Sequence, residues 1–177
     1  MRAVAGVIFR RNFMSADTMA FHFVQSDEYE YLEDDEESEY SVLAYLGADP
    51  DTGASYYASA MLSPHGADVE YSFSVIERIN DEERLLTSGL ETQEIFQDQA
   101  DRRSVLRVIL ELTECLLAWK EPAAVERCTA DVVTNDEMLA KHILVSQIFR
   151  KCGYNVTDCG DWNGQKIWRA ERIAEQG

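Results

Sequence analysis

Carboxylates are the commonest side chains here that are capable of chemistry. The 177 residues hold 33 Asp and Glu against 16 Lys and Arg, a formal net charge of −17. Residues 1–100 carry 21 acids and 5 bases, whereas residues 101–177 carry 12 acids and 11 bases. The excess therefore belongs to the first half. Its densest stretch, SDEYEYLEDDEESE at 26–39, has nine acids and no base. Like charges at that density repel and cannot be buried unpaired, so the stretch reads as an acidic surface loop. Only its first part, where Tyr29 and Tyr31 alternate with acids, has a strand's pattern. Phosphate binding needs a basic patch, so direct nucleic-acid binding is not expected. A cationic small molecule or a basic protein is the partner this charge favours. Glu28, Glu30, Asp34 and Glu36 are the candidate interaction residues. Held as a regular array, such carboxylates would imitate the phosphates of a nucleic acid.

Other reactive groups are sparse. His22, His65 and His142 are isolated from one another and share no ligand spacing with the cysteines, so no metal site is expected. His142 lies on the apolar stripe of a helical segment, where a satisfied core histidine is the ordinary outcome and a general base the rarer one. Cys115, Cys128, Cys152 and Cys159 form no C-x-x-C pair and read as buried reduced thiols. No apolar run approaches the roughly 18 residues that span a bilayer. The apolar start at 3–9 is followed, not preceded, by Arg10 and Arg11, the reverse of a signal peptide. The chain is expected to be cytoplasmic, with no membrane partner.

The elements that position these groups follow from hydrophobic period. Strand-like runs at 20–25, 40–46, 55–62 and 69–79 are separated by turn chemistry, which predicts an antiparallel meander. In the last run Val69, Tyr71, Phe73 and Val75 share a face. Residues 80–99 fit two alternatives: a short helix capped by Asn80-Asp81, or a hairpin returning over 85–90. From 103 to 119 the apolar positions repeat every three or four residues, a helix with Asp101 as its cap and Pro122 beyond its end. Residues 125–134 read as a strand. Thr134-x-x-Glu137 is a capping box that starts a second helix at Asn135 or Asp136. That helix carries the stripe Met138, His142, Val145, Phe149 and Cys152, and Gly153 stops it. Asn163-Gly164 turns a hairpin between 155–162 and 165–171, with Trp162 and Trp168 packing across it or against a helix. The expected class is α/β (α+β): one domain over 1–177, a mixed, largely antiparallel sheet and two main amphipathic helices. Residues 101–171 form its helix–strand–helix–hairpin half.

This order, with the ending FRKCGYNV at 149–156, resembles the GCN5-related N-acetyltransferase superfamily over roughly residues 69–171. The resemblance implies an N-acetyltransferase-like sheet with a cleft where two central parallel strands part, near Val132. It also implies acetyl-CoA or another acyl-CoA as cofactor, with acyl transfer to an amine, or retention of the fold alone. In that family the coenzyme pyrophosphate sits at the start of the first long helix, where backbone N–H groups and the helix dipole favour an anion. The matching residues here are Gln99, Arg102, Arg103, Ser104 and Val105. No glycine lies among them, so contact would come from the side chains of Arg102, Arg103 and Ser104. Asn135 follows the second parallel strand as an asparagine often does in the family, and Glu77 matches a general base. The family's thiolate-protonating tyrosine is replaced by Phe149. Because a fold does not fix a function, the competing class is a non-enzymatic acidic protein that binds a basic partner.

Overall fold

Apolar alternation along the first half builds long antiparallel strands. In the computed structural model, which describes residues 21–24, 28–34, 38–66, 68–86, 89–128 and 136–174, these are β3 (Glu39–Asp49), β4 (Ala54–His65) and β5 (Asp68–Ile79). Two short strands precede them, β1 (His22–Phe23) and β2 (Tyr29–Asp34), both paired to β3. Residues 80–99 resolve as a hairpin followed by a helix. Asn80 and Asp81 take φ of 49° and 66°, as a tight two-residue turn requires, and β6 (Glu82–Leu86) returns along β5. The return strand is thus earlier than 85–90, and α1 (Gly89–Ile95) follows it.

The second half follows the expected order. Helix α2 (Gln99–Lys120) is succeeded by β7 (Ala124–Cys128), α3 (Asp136–Lys151), β8 (Tyr154–Trp162) and β9 (Gln165–Arg172). Gly153 has φ 87° and ends α3, and Asn163 and Gly164, at 50° and 81°, turn the final hairpin. The proposed strand at 125–134 is described only as far as Cys128. Thr134 and Asn135 lie outside the described residues.

All nine described strands form one sheet, ordered β1-β3-β4-β5-β7-β9-β8, with β2 also on β3 and β6 also on β5. Every pairing is antiparallel except β5 with β7. The protein is therefore α+β, with a mixed, largely antiparallel sheet and two long helices. The crossovers β5–α2–β7 and β7–α3–β8 run the same way across the sheet, and with the usual right-handed sense they put α2 and α3 on the same face. Alternate strand residues meet them there. Val42, Ala44 and Leu46 of β3, Ala58, Ala60 and Leu62 of β4, and Leu112 and Leu116 of α2 are each no more than 5% exposed. Burial of a leucine side chain contributes about 1.5–3 kcal/mol, so this layer holds the fold together. No helix among the described residues is long and apolar enough to cross a membrane.

Candidate functional site

The single parallel contact is brief. Strands β5 and β7 share two rungs, Val69–Val125 and Glu70–Glu126. Beyond them Arg127 and Cys128 pair only with β9, and β5 meets another strand on that side only at 75–79, where β6 arrives. Among the described residues, 71–74 have no strand beside them there. The parting begins after Glu126, and Val132, where it was expected, lies outside the described residues.

Arg127 fills this notch. It is 6% exposed, with its guanidinium carbon 4.5 Å from the Phe73 ring centroid and 5.0 Å from that of Tyr71. Its Nη2 lies 2.7 Å from Nδ1 of His142, on α3. A guanidinium has no lone pair to offer, so it donates and the imidazole accepts. His142, also 6% exposed, stacks on Trp168 of β9 at 5.8 Å. Burial, then the positive charges of Arg127 and Lys141, push its pKa down to about 3. His142 is therefore neutral and serves as an acceptor, the satisfied core histidine its stripe suggested.

Beside it the Tyr71 hydroxyl lies 2.6 Å from Oγ1 of Thr113 on α2. Thr113 spends its own proton on the carbonyl of Ile109, so the tyrosine donates to the threonine. Burial raises the Tyr71 pKa, which keeps the phenol protonated. Phe149 is 3% exposed and packs edge-on against Tyr71 and Tyr154.

The start of α2 is not shaped to grip a phosphate. Its cap is Asp98, not Asp101, and the helix begins one turn earlier than the apolar period indicated. The Asp98 carboxylate accepts the Ala100 N–H at 2.7 Å, which places a negative charge where an anion would sit. Arg102 turns away and donates through Nη1 to the carbonyls of Phe96 at 2.9 Å and Gln97 at 2.8 Å. It ties the end of α1 to the start of α2. Gln99 and Arg103 are exposed, Ser104 is half-buried and Val105 is in the core. The structure thus places these five within the first two turns of α2, with Asp98 and Arg102 already engaged within the chain. An acyl-CoA pyrophosphate does not fit this turn.

Glu77 sits on the helix-facing side of β5. It accepts the Tyr56 hydroxyl at 3.1 Å and faces Nη1 of Arg84 at 3.6 Å, across the β5–β6 hairpin. A charge-compensated carboxylate with a phenol already on it is a structural anchor first.

The acidic stretch is not one loop. Residues 29–34 are strand β2, and Glu39 opens β3. Tyr29 and Tyr31 make the difference: Tyr29 donates to Glu111 on α2 at 2.9 Å, and Tyr31 meets the Trp119 ring edge-on. Glu33 shares their face and accepts from Lys120 at 2.7 Å. Glu30 and Asp34 point to the opposite face of the sheet with Leu32 between them, and Glu28 is exposed before the strand. Glu36 lies outside the described residues.

The cysteine expectation needs correction. Cys159 is exposed, and Cys115 and Cys152 are half-buried; all three are free thiols. Among the described residues no group of three or more His, Cys, Asp or Glu side chains is arranged to hold a metal. Sequence reasoning missed Arg127 and Thr113. The signal for Arg127 was its spacing of two from Val125, which puts it on the core face of its strand. Comparison with known proteins finds no match among family models, curated proteins or solved structures.

Proposed function

We propose that this chain keeps an N-acetyltransferase-like framework and works as a non-enzymatic acidic protein that binds a basic partner. The observation that carries this reading is the self-capped start of α2. Asp98 occupies the helix terminus, and Arg102 is committed to the carbonyls of Phe96 and Gln97. Two further features agree with it: Arg127 fills the notch between the parallel strands, and Phe149 has no proton to give. The net charge of −17 supplies the attraction for a cationic partner. The direct test is retention on immobilised basic proteins at low salt, compared with immobilised acidic ones. Retention on basic proteins alone, lost as salt rises, supports the reading. Failure to be retained on any basic protein overturns it.

A second reading is acyl-CoA-dependent transfer to an amine, with Glu77 and Asn135 as its candidate residues. The parting of β5 from β7 after two rungs favours it, since the family's cleft opens at such a place. Stabilisation of the fold by acetyl-CoA is the measurement that would support it over the first.

A further inference from the structure

Strand period and a helix end gather side chains from three elements around one ammonium group. Tyr31 and Glu33 stand two apart on β2, so they share the face that meets α2. Tyr40 of β3 is directly opposite Glu33 and lies on that face too. Trp119 and Lys120 are the last two residues of α2. Nζ of Lys120 sits 3.7 Å from the Tyr40 ring centroid and 4.2 Å from that of Trp119, and it donates to Glu33 at 2.7 Å. Edge-on contacts with Tyr31 at 5.2 Å and with Tyr40 at 6.0 Å fix the Trp119 ring.

An ion pair at the surface needs only the carboxylate and contributes little by itself. The two aromatic rings are the part of this box that is specific for a cation. They favour a cation that surrenders little water on entry. A primary ammonium is strongly hydrated and has three N–H groups to satisfy, of which Glu33 accepts one. A quaternary ammonium has none, and it meets aromatic faces with less loss of hydration. The box is also at the surface: Tyr31 is 48% exposed, and the Glu33 side chain 41%. Lys120 reaches it on a flexible four-carbon stem from the end of its helix, so rotation about side-chain bonds alone would move the ammonium out into water. The chain's own lysine thus displays where and how the box holds a cation.

We propose that Tyr40, Trp119 and Glu33, buttressed by Tyr31, form a binding site for a quaternary ammonium group, and that Lys120 occupies it in the free chain until such a group displaces it. A free quaternary amine and a trimethylated lysine of another protein carry the same group, and either would fit this chemistry. The proposal goes beyond the basic-partner reading and does not depend on it, although the net charge of −17 draws both ligands towards the chain.

The test titrates the full chain with tetramethylammonium chloride and, at matched ionic strength, with ammonium chloride, following the indole N–H signals by NMR. Trp119→Phe assigns the Trp119 signal. Tetramethylammonium is expected to shift that signal saturably, and ammonium is not. Lys120→Ala removes the competing cation and is expected to tighten binding by about tenfold. In the Lys120→Ala background, Trp119→Leu is expected to weaken it by about tenfold, whereas Tyr40→Phe, which keeps the aromatic face, leaves it nearly unchanged. Thermal melts verify that each variant folds. A peptide bearing trimethyllysine distinguishes the sources: tighter binding than tetramethylammonium supports the site and assigns it to a protein side chain, and equal binding supports it and assigns it to a free amine. No saturable shift in the wild type would overturn the proposal even if Lys120→Ala binds, because Lys120 would then be a permanent part of the fold. An equal response to ammonium chloride would overturn it as well.

Discussion

The Arg127 guanidinium on β7 donates to Nδ1 of His142 on α3, 2.7 Å away, and so joins a strand to a helix across the notch left by the parting of β5 and β7. The contact fixes the neutral imidazole with its proton on Nε2. An NMR titration of His142 is expected to show no protonation down to about pH 3. Arg127→Met removes one of the charges that hold the pKa down, so the value should rise in that variant. It should stay below the ordinary histidine range, because burial is the larger cause.

The same depression gives stability a pH dependence of definite sign. Between about pH 6.5 and about pH 3 the unfolded chain binds a proton at His142 that the folded chain does not. Stability therefore rises with pH in that window and is lost as pH falls through it, by up to about 1.4 kcal/mol per pH unit from this group. Urea unfolding of the wild type and of His142→Gln across the window measures the contribution. The variant should have the shallower slope.

Tyr71 and Thr113 make an asymmetric pair. Tyr71→Phe leaves Thr113 with its bond to the Ile109 carbonyl, so the loss should be about 1 kcal/mol. Thr113→Val strands the buried Tyr71 hydroxyl without its acceptor, and should cost about 1–3 kcal/mol. Chemical denaturation of both single variants and the double variant tests this. The double variant should be more stable than the sum of the single losses implies.

Asp98 is expected to act as a cap. Asp98→Ala should destabilise by about 1 kcal/mol, and Asp98→Ser by less, because serine also accepts a backbone N–H. Asp101→Ala, at the cap position the apolar period indicated, should cost less than Asp98→Ala. Thermal or urea unfolding of the three variants decides between the positions.

The parts of the fold that depend on local pattern were legible in the sequence. The 3–4 repeat located α2 and α3, Gly153 marked where α3 ends, and Asn163-Gly164 marked the last turn. What sequence could not supply were outcomes set by distant partners. Residues 29–34 became a strand because Tyr29 and Tyr31 reach α2 across some eighty residues of sequence, which outweighs the repulsion among the acids on the other face. Asp98 and Asp101 are both acids before an apolar stripe, and only the hydrogen bond to Ala100 separates them. Arg102 looked available for phosphate because its acceptors are backbone carbonyls, which leave no mark in side-chain pattern. The spacing from Val125 puts Arg127 on the core face but does not reveal its partners, because its aromatic neighbours lie on a different strand.

The central claim is that the framework lacks the grip on a coenzyme phosphate that acyl transfer requires. Thermal melts of the full chain with and without millimolar acetyl-CoA test it most directly. The account predicts an unchanged midpoint. Ligand at one hundred times its Kd would add about 2.7 kcal/mol and raise the midpoint by roughly 5 °C or more; such a rise, abolished by Arg102→Ala or Arg103→Ala, would contradict the account.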